Sequence, residues 1–157
     1  MTPEQRSRLA QLLLGERLVA LGVVVEGGPV VGLLPYAVSD DGRALVVQAS
    51  SLARHSRGLV AGAPWSGIVR GPDAPDVDPL RVPRLQLEGG VEPLAGGHPE
   101  FAGAAKAFLR RFPQAAATLK LADFGLYKLE LRGGRMVLGF GEAINLSREH
   151  FDGITTA

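Results

Sequence analysis

The chain has 157 residues, of which 46% are hydrophobic and 21% charged; that length suits one domain and that composition can bury a core. A balance of 17 Lys and Arg against 16 Asp and Glu leaves a net charge of +1, which excludes bulk electrostatic attraction to nucleic acid or anionic lipid. With no cysteine, disulfides, thiolate catalysis and cysteine-ligated metals are excluded as well, and a reducing cytoplasm fits.

The N-terminal stretch MTPEQRSRLAQLLLGER is broken by charge and has no apolar signal core. No run reaches the ~18–20 apolar residues of a membrane span. A soluble cytoplasmic protein without membrane or nucleic-acid partner is expected. Thr2-Pro3-Glu4-Gln5 reads as a capping box with proline at the first helical position. Leu9, Leu12 and Leu13 form one stripe of that helix, and Gly15 can end it. RLVALGVVVE and PVVGLLPYAV then flank Gly27-Gly28, a hairpin signal. SDDG is a turn, and Arg43 to Ala49 make a third strand.

WSGIVRG supplies a fourth strand, and GPDAPDVDPL a loop. In VPRLQLEGG, Leu85 and Leu87 alternate with Arg84, Gln86 and Glu88, as a half-buried strand requires. Phe101, Ala104, Ala105, Phe108, Leu109 and Phe112 repeat at helical spacing until Pro113. A short helix over 114–121 follows. FGLYKLELR and RMVLGFGEA predict a hairpin around Gly133-Gly134, and Ser147 can start a last helical turn. About seven strands, mostly joined by hairpins, with three or four helices suggest a barrel or closed antiparallel sheet.

The densest polar stretch is QASSLARHSRGL, where the third strand gives way to a predicted helix. With Ser50 or Ser51 as N-cap and Leu52 as the first helical residue, free backbone amides would face the strand end. Such a terminus favours an anion, and hydroxyls and guanidiniums beside it would add charge-assisted hydrogen bonds. A mononucleotide phosphate suits the spot. The alternative is a solvated helix in which His55, spaced from Leu52 and Leu59 on one stripe, packs as a core histidine. The three histidines have no His-Glu-x-x-His spacing, and Asp73, Asp76 and Asp78 lack the calcium-loop pattern, so no metal site is expected. No Gly-x-Ser-x-Gly elbow, dinucleotide fingerprint or phosphate loop occurs, and no catalytic residue is assigned.

Read as ordered phrases, LLPYAVSDDGRALVV, SSLARHSRGLV, DPLRVPRLQLEGGVEPL, FLRRFPQAA, DFGLYKLEL and LGFGEAINLS resemble the FMN-binding split-barrel family related to pyridoxamine 5'-phosphate oxidase. They are nearest the branch containing haem-utilisation proteins. The resemblance implies a mainly β fold with flanking helices (α+β), an antiparallel six-stranded split β-barrel. It implies one domain over 1–157, with a helix over about 2–15, the barrel over about 17–142 and a tail over 143–157. It further implies a homodimer with FMN at the interface, acting as an oxidoreductase on an unidentified small-molecule substrate.

Carried over by position, Ser50, Ser51, His55, Ser56 and Arg57 would surround the FMN phosphate. Pro35 and Tyr36 would run along the flavin ring, with Gln48 close by. Arg84 would reach the cofactor from the partner subunit, or else be an outward strand charge. Where the oxidase has a phosphate-segment lysine this chain has His55, and its C-terminal substrate motif is not matched, so vitamin B6 oxidation is not implied. The haem-degrading branch implies instead that haem is the cofactor, with His150 as iron ligand and Asp123 nearby; the other reading of His150 is a helix-start histidine in SREHF. A barrel that keeps the fold, binds no cofactor and acts as a dimeric interaction module is the third possibility.

Overall fold

The computed structural model describes residues 1–155. Helix α1 (Pro3–Gly15) is followed by strands β1 (Leu18–Val25), β2 (Gly28–Val38), β3 (Ala44–Ser50), β4 (Pro64–Arg70) and β5 (Arg84–Leu94). Then come α2 (Phe101–Arg111), β6 (Phe124–Glu130), β7 (Gly133–Gly139) and β8 (Glu142–Ser147), with short 3-10 turns between elements. The capping box is present: Thr2 Oγ1 accepts from the Gln5 amide, and the Gln5 side chain accepts from the Thr2 amide.

Six strands close into an antiparallel barrel in the order β1-β2-β3-β6-β5-β4, and β4 pairs back onto β1. Closure removes the open edges that a flat sheet would expose. β5 is the strand at which the barrel splits. Its first half pairs with β4 on one side and β7 on the other, whereas Val91 to Leu94 pair with β6. β7 and β8 therefore extend the sheet beyond the barrel. This corrects the expected hairpin of β6 with β7, because β5 lies between them. β7 turns back on β8 instead, at Gly139–Gly141, and β8 was not anticipated as a strand.

Alternation sends every second side chain inward. Leu21, Val23, Leu34, Tyr36, Leu45, Val47, Trp65, Val69, Leu85, Leu87 and Leu129 fill the interior, joined by Leu9 and Leu13 of α1. The outward side of β3 and β6 is covered by α2 and the turn after it: Phe108, Phe112 and Ala115 pack on Ala37, Val46, Leu94 and Leu126. The outward side of β1, the first half of β2, and β4 has no such cover. Leu18, Val24, Val31, Leu33 and Ile68 stand there 49%, 54%, 72%, 66% and 41% exposed. Register joins them into one face, since Ala20 lies opposite both Leu33 and Ile68. No described helix is long and apolar enough to cross a membrane.

Candidate functional site

The chain leaves β3 at Ser50 without entering an α-helix. Residues 51–53 turn, and a five-residue 3-10 segment, Arg54–Gly58, replaces the expected helix from Leu52. The amides that such a helix would have presented are already paired. Ser51 N–H donates to the Asp123 carbonyl, Leu52 N–H to Ser50 Oγ, and Ala53 N–H to the Ser50 carbonyl. A segment this short has no macrodipole terminus of consequence.

Asp123 closes the corner. Its carboxylate lies 2.8 Å from Ser50 Oγ, which donates to it, while Ser56 Oγ donates to the Ser50 carbonyl at 2.6 Å. Both hydroxyl protons are thus committed inside the protein. Ser51 is exposed, and among the described residues Arg57 reaches only Glu26, at 3.5 Å across solvent. Ser50, Ser51, Ser56 and Arg57 lie along one segment at the strand end.

His55 points elsewhere. Its ring lies over Gly32, where an added β-carbon would be 2.5 Å from Nδ1. Gly32 shares its strand face with Val30 and Leu34, which are buried in the barrel core, so the imidazole fills the gap left by the absent side chain. Burial pushes the His55 pKa below its ordinary value. Tyr36 also faces inward: its hydroxyl donates to the Leu13 carbonyl at 2.7 Å and the Arg111 guanidinium lies over its ring. Burial holds its phenol far above the usual range. Only backbone and the half-buried Pro35 remain available along that part of β2.

Gln48 sits under the 113–120 turns. Thr118 Oγ1 lies 3.0 Å from both Gln48 Oε1 and the Ala115 carbonyl, and Gln48 Nε2 has no partner among the described residues. One hydroxyl proton serves one oxygen, so turning the amide over gives the better pairing. Nε2 then donates to Thr118, and Thr118 donates to Ala115. Arg84 opens β5, half-buried, with Nη1 on the Val82 carbonyl at 3.3 Å.

His150 and Asp123 are not brought together within the chain. His150 follows β8, beside Phe151, whose carbonyl packs against Gly42 ahead of β3. Asp123 binds Ser50 at the other end of that strand, about 20 Å away at ~3.3 Å per residue. His150 Nδ1 accepts from the Ser147 amide, which leaves the proton of a neutral ring on Nε2. His98 is held in the same way: Nδ1 accepts from the Glu100 amide and Nε2 faces Glu92 at 3.1 Å. Glu92, His98 and Glu100 converge closely enough to suggest metal ligands, but Lys128 Nζ already bridges Glu92 (3.4 Å) and Glu100 (2.8 Å). The cluster is an ion-paired network in which the available histidine nitrogen carries its proton.

A closed antiparallel barrel split at β5, with α2 on one side, is the architecture shared by the pyridoxinephosphate oxidase-like and haem-utilisation proteins. Among solved structures, a haem-binding protein from Mycobacterium smegmatis aligns at TM-score 0.82 with 26% identity, over 96% of this chain and 61% of that one. The haem storage protein HutZ from Vibrio cholerae aligns at 0.71 with 20% identity, over 87% and 94%. A Clostridium acetobutylicum protein of the pyridoxinephosphate oxidase family aligns at 0.69 with 13% identity, over 96% and 99%. No protein-family model and no curated protein matches the sequence. This chain thus spans about three-fifths of the mycobacterial protein's length.

The residues fit the two implied cofactors unequally. For FMN, the phosphate corner offers Arg57 and Ser51 but sets a carboxylate among them, with its amides and two of its hydroxyls already paired. For haem, the bare face of β1, β2 and β4 matches a broad flat apolar body. Sequence reasoning missed that face. Its signal was LVALGVVV, which is apolar at both alternations although a half-solvated strand needs polar residues at one.

Proposed function

We propose that the protein binds haem in a cleft between two copies of the chain and serves haem handling in the cytoplasm. The observation that carries this reading is the Asp123 carboxylate at the strand-end corner. A phosphate there would meet a like charge, which costs more in a partly dry corner than in water. The mycobacterial neighbour, a haem-binding protein, supports the same choice. Haem would supply redox and oxygen chemistry, and the chain would supply the apolar cleft and its orientation.

The uncovered face supports the second copy. Five large apolar side chains in one patch are the pattern of a subunit contact, and β1, β2 and β4 can meet their own image there. Of the three histidines, His55 alone makes no hydrogen bond among the described residues, whereas His98 and His150 each hold a backbone amide. His150→Ala therefore leaves the haem spectrum unchanged.

FMN is the second reading, supported by Ser51, Arg54 and Arg57 standing exposed beside the corner. Titrating the purified protein with haem and with FMN separates the two. The haem reading expects a saturable Soret band and no saturable quenching of flavin fluorescence. Saturable FMN binding that Arg57→Ala weakens far more than it weakens riboflavin binding would replace haem with flavin. A colourless protein that responds to neither is a cofactor-free interaction module. Asp123→Asn tests the carrying observation directly: it should raise FMN affinity about tenfold and leave riboflavin alone.

A further inference from the structure

A groove of about 530 Å³ runs along α1, and none of the five exposed side chains of the bare face lines it. Leu12 of α1 and Leu138 of β7, both packed against the barrel core, form its floor together with Pro72 and Pro83. Glu4, Arg8, Gln11 and Gly15 recur at steps of three and four residues, so one stripe of α1 makes one wall. Gly71-Pro72 and Pro83, the two ends of the β4–β5 connection, make a second, and Leu138 and Glu142 of the β7–β8 hairpin a third. A concave space of this size with an apolar floor suits a small organic molecule.

The charges around it select the kind of molecule. Glu16 and Glu142 line the groove without an ion pair among the described residues; Arg111 takes the Glu16 carbonyl and leaves its carboxylate. Glu4 also lines it, but that carboxylate accepts from its own amide and from Thr2, and so serves the start of α1. The β4–β5 connection adds exposed Asp73, Asp76 and Asp78, of which Asp78 caps a turn at the Leu80 amide. Carboxylates thus outnumber the guanidiniums of Arg8 and Arg81 here, although the whole chain has a formal net charge of +1. Arg70 and Arg84 do not line the groove: they stand outward, beside the buried Val69 and Leu85. Phe140 adds an aromatic surface. It sits at the hairpin turn between Leu138 and Glu142, 82% exposed, and the glycines on either side leave its approach open. An aromatic face beside carboxylates is an arrangement that receives an ammonium group.

We propose that the groove between α1, the β4–β5 connection and the β7–β8 hairpin binds a small organic cation, an amine carried on an apolar body. The body lies on Leu12, Pro72, Pro83 and Leu138. The ammonium meets Glu142 with Phe140 beside it, and Glu16 and the aspartates of the connection set the field around it. The site stands whether haem or a flavin occupies the cleft proposed above.

The test is calorimetric titration of the whole chain at low salt with three probes that share one body: 4-phenylbutylamine, 4-phenylbutan-1-ol and 4-phenylbutyrate. The wild type takes the amine saturably, the alcohol about tenfold more weakly and the carboxylate not at all. Glu142→Gln lowers the amine affinity about fivefold and leaves the alcohol unchanged, while Arg8→Gln raises the amine affinity. Phe140→Leu weakens the amine more than the alcohol, because the leucine keeps apolar contact but has no aromatic face. Glu142 holds no other group among the described residues, so the Glu142→Gln melting temperature stays at the wild-type value and a folding defect is visible separately. Leu33→Gln, which alters only the bare face, leaves all three affinities unchanged. A wild type that takes amine and alcohol alike, or a Glu142→Gln variant that keeps the full preference, overturns the proposal. Loss of the preference in Leu33→Gln moves the amine to the bare face and overturns it too.

Discussion

At Gly32 the histidine and the glycine occupy one space between them, and that has a thermodynamic signature. Burial lowers the His55 pKa in the folded state from an ordinary value of 6.5, so below about that pH the unfolded chain binds more protons. Stability that is present above pH 6.5 is therefore lost as pH falls through the window beneath it. Asp41, Glu149 and Asp152 are also shifted down, and their contributions are lost only in a more acid range. Melting temperatures measured from pH 8 to pH 5 should fall for the wild type and stay flatter for His55→Gln. Gly89 sets a stricter limit: an added β-carbon would lie 1.7 Å from the Glu130 carbonyl oxygen. Gly89→Ala should cost about 3 kcal/mol or more in urea unfolding, because backbone must move to accommodate it. At this scale the sequence announced that Ser50, Ser56 and Arg57 share a segment. It could not announce their acceptors, since Asp123 comes 73 residues after Ser50 and only the pairing of β3 with β6 joins them.

Elements whose signals are local came through the sequence well. The α1 capping box and the α2 stripe are present, and so is the β1–β2 hairpin, with its two-residue turn at Glu26-Gly27 rather than Gly27-Gly28. The errors arose where a glycine pair has two physical uses. Gly133-Gly134 resembles a turn, yet a β-carbon at Gly134 would lie 2.0 Å from the Gln86 carbonyl, so these glycines let β7 approach β5 closely. Likewise the 50–59 stretch carries N-cap residues, but Ser50 serves Leu52 N–H and Asp123 rather than a continuing helix. Tyr36 adds to the attachment of α1, whose Leu9 and Leu13 pack in the barrel: its hydroxyl donates to the Leu13 carbonyl in the interior. Tyr36→Phe should lower stability by about 1–2 kcal/mol in denaturant unfolding, with the barrel spectrum retained, because the ring still packs and one buried carbonyl loses its donor.

For the molecule as a whole, the outer surface divides into a helix-covered side and a bare side. Val31 and Leu33 are the most exposed large side chains of the bare sheet, and a second copy of the chain is the occupant we infer for it. Sedimentation should give a dimer for the wild type and a monomer for Val31→Glu/Leu33→Glu, whose inward residues are untouched. The barrel itself was legible because alternation and turn spacing survive in sequence; the partition of its outer surface was not, because cover is a tertiary fact. β5 has a consequence of its own. It bonds to β4, β6 and β7, so no neighbouring ribbon can peel off without disturbing it, and none of its two halves can be released singly. In deuterated water the amides at Leu85, Leu87 and Val91 should be the last to exchange, reporting only full unfolding, while those of β8 at the sheet margin equilibrate early.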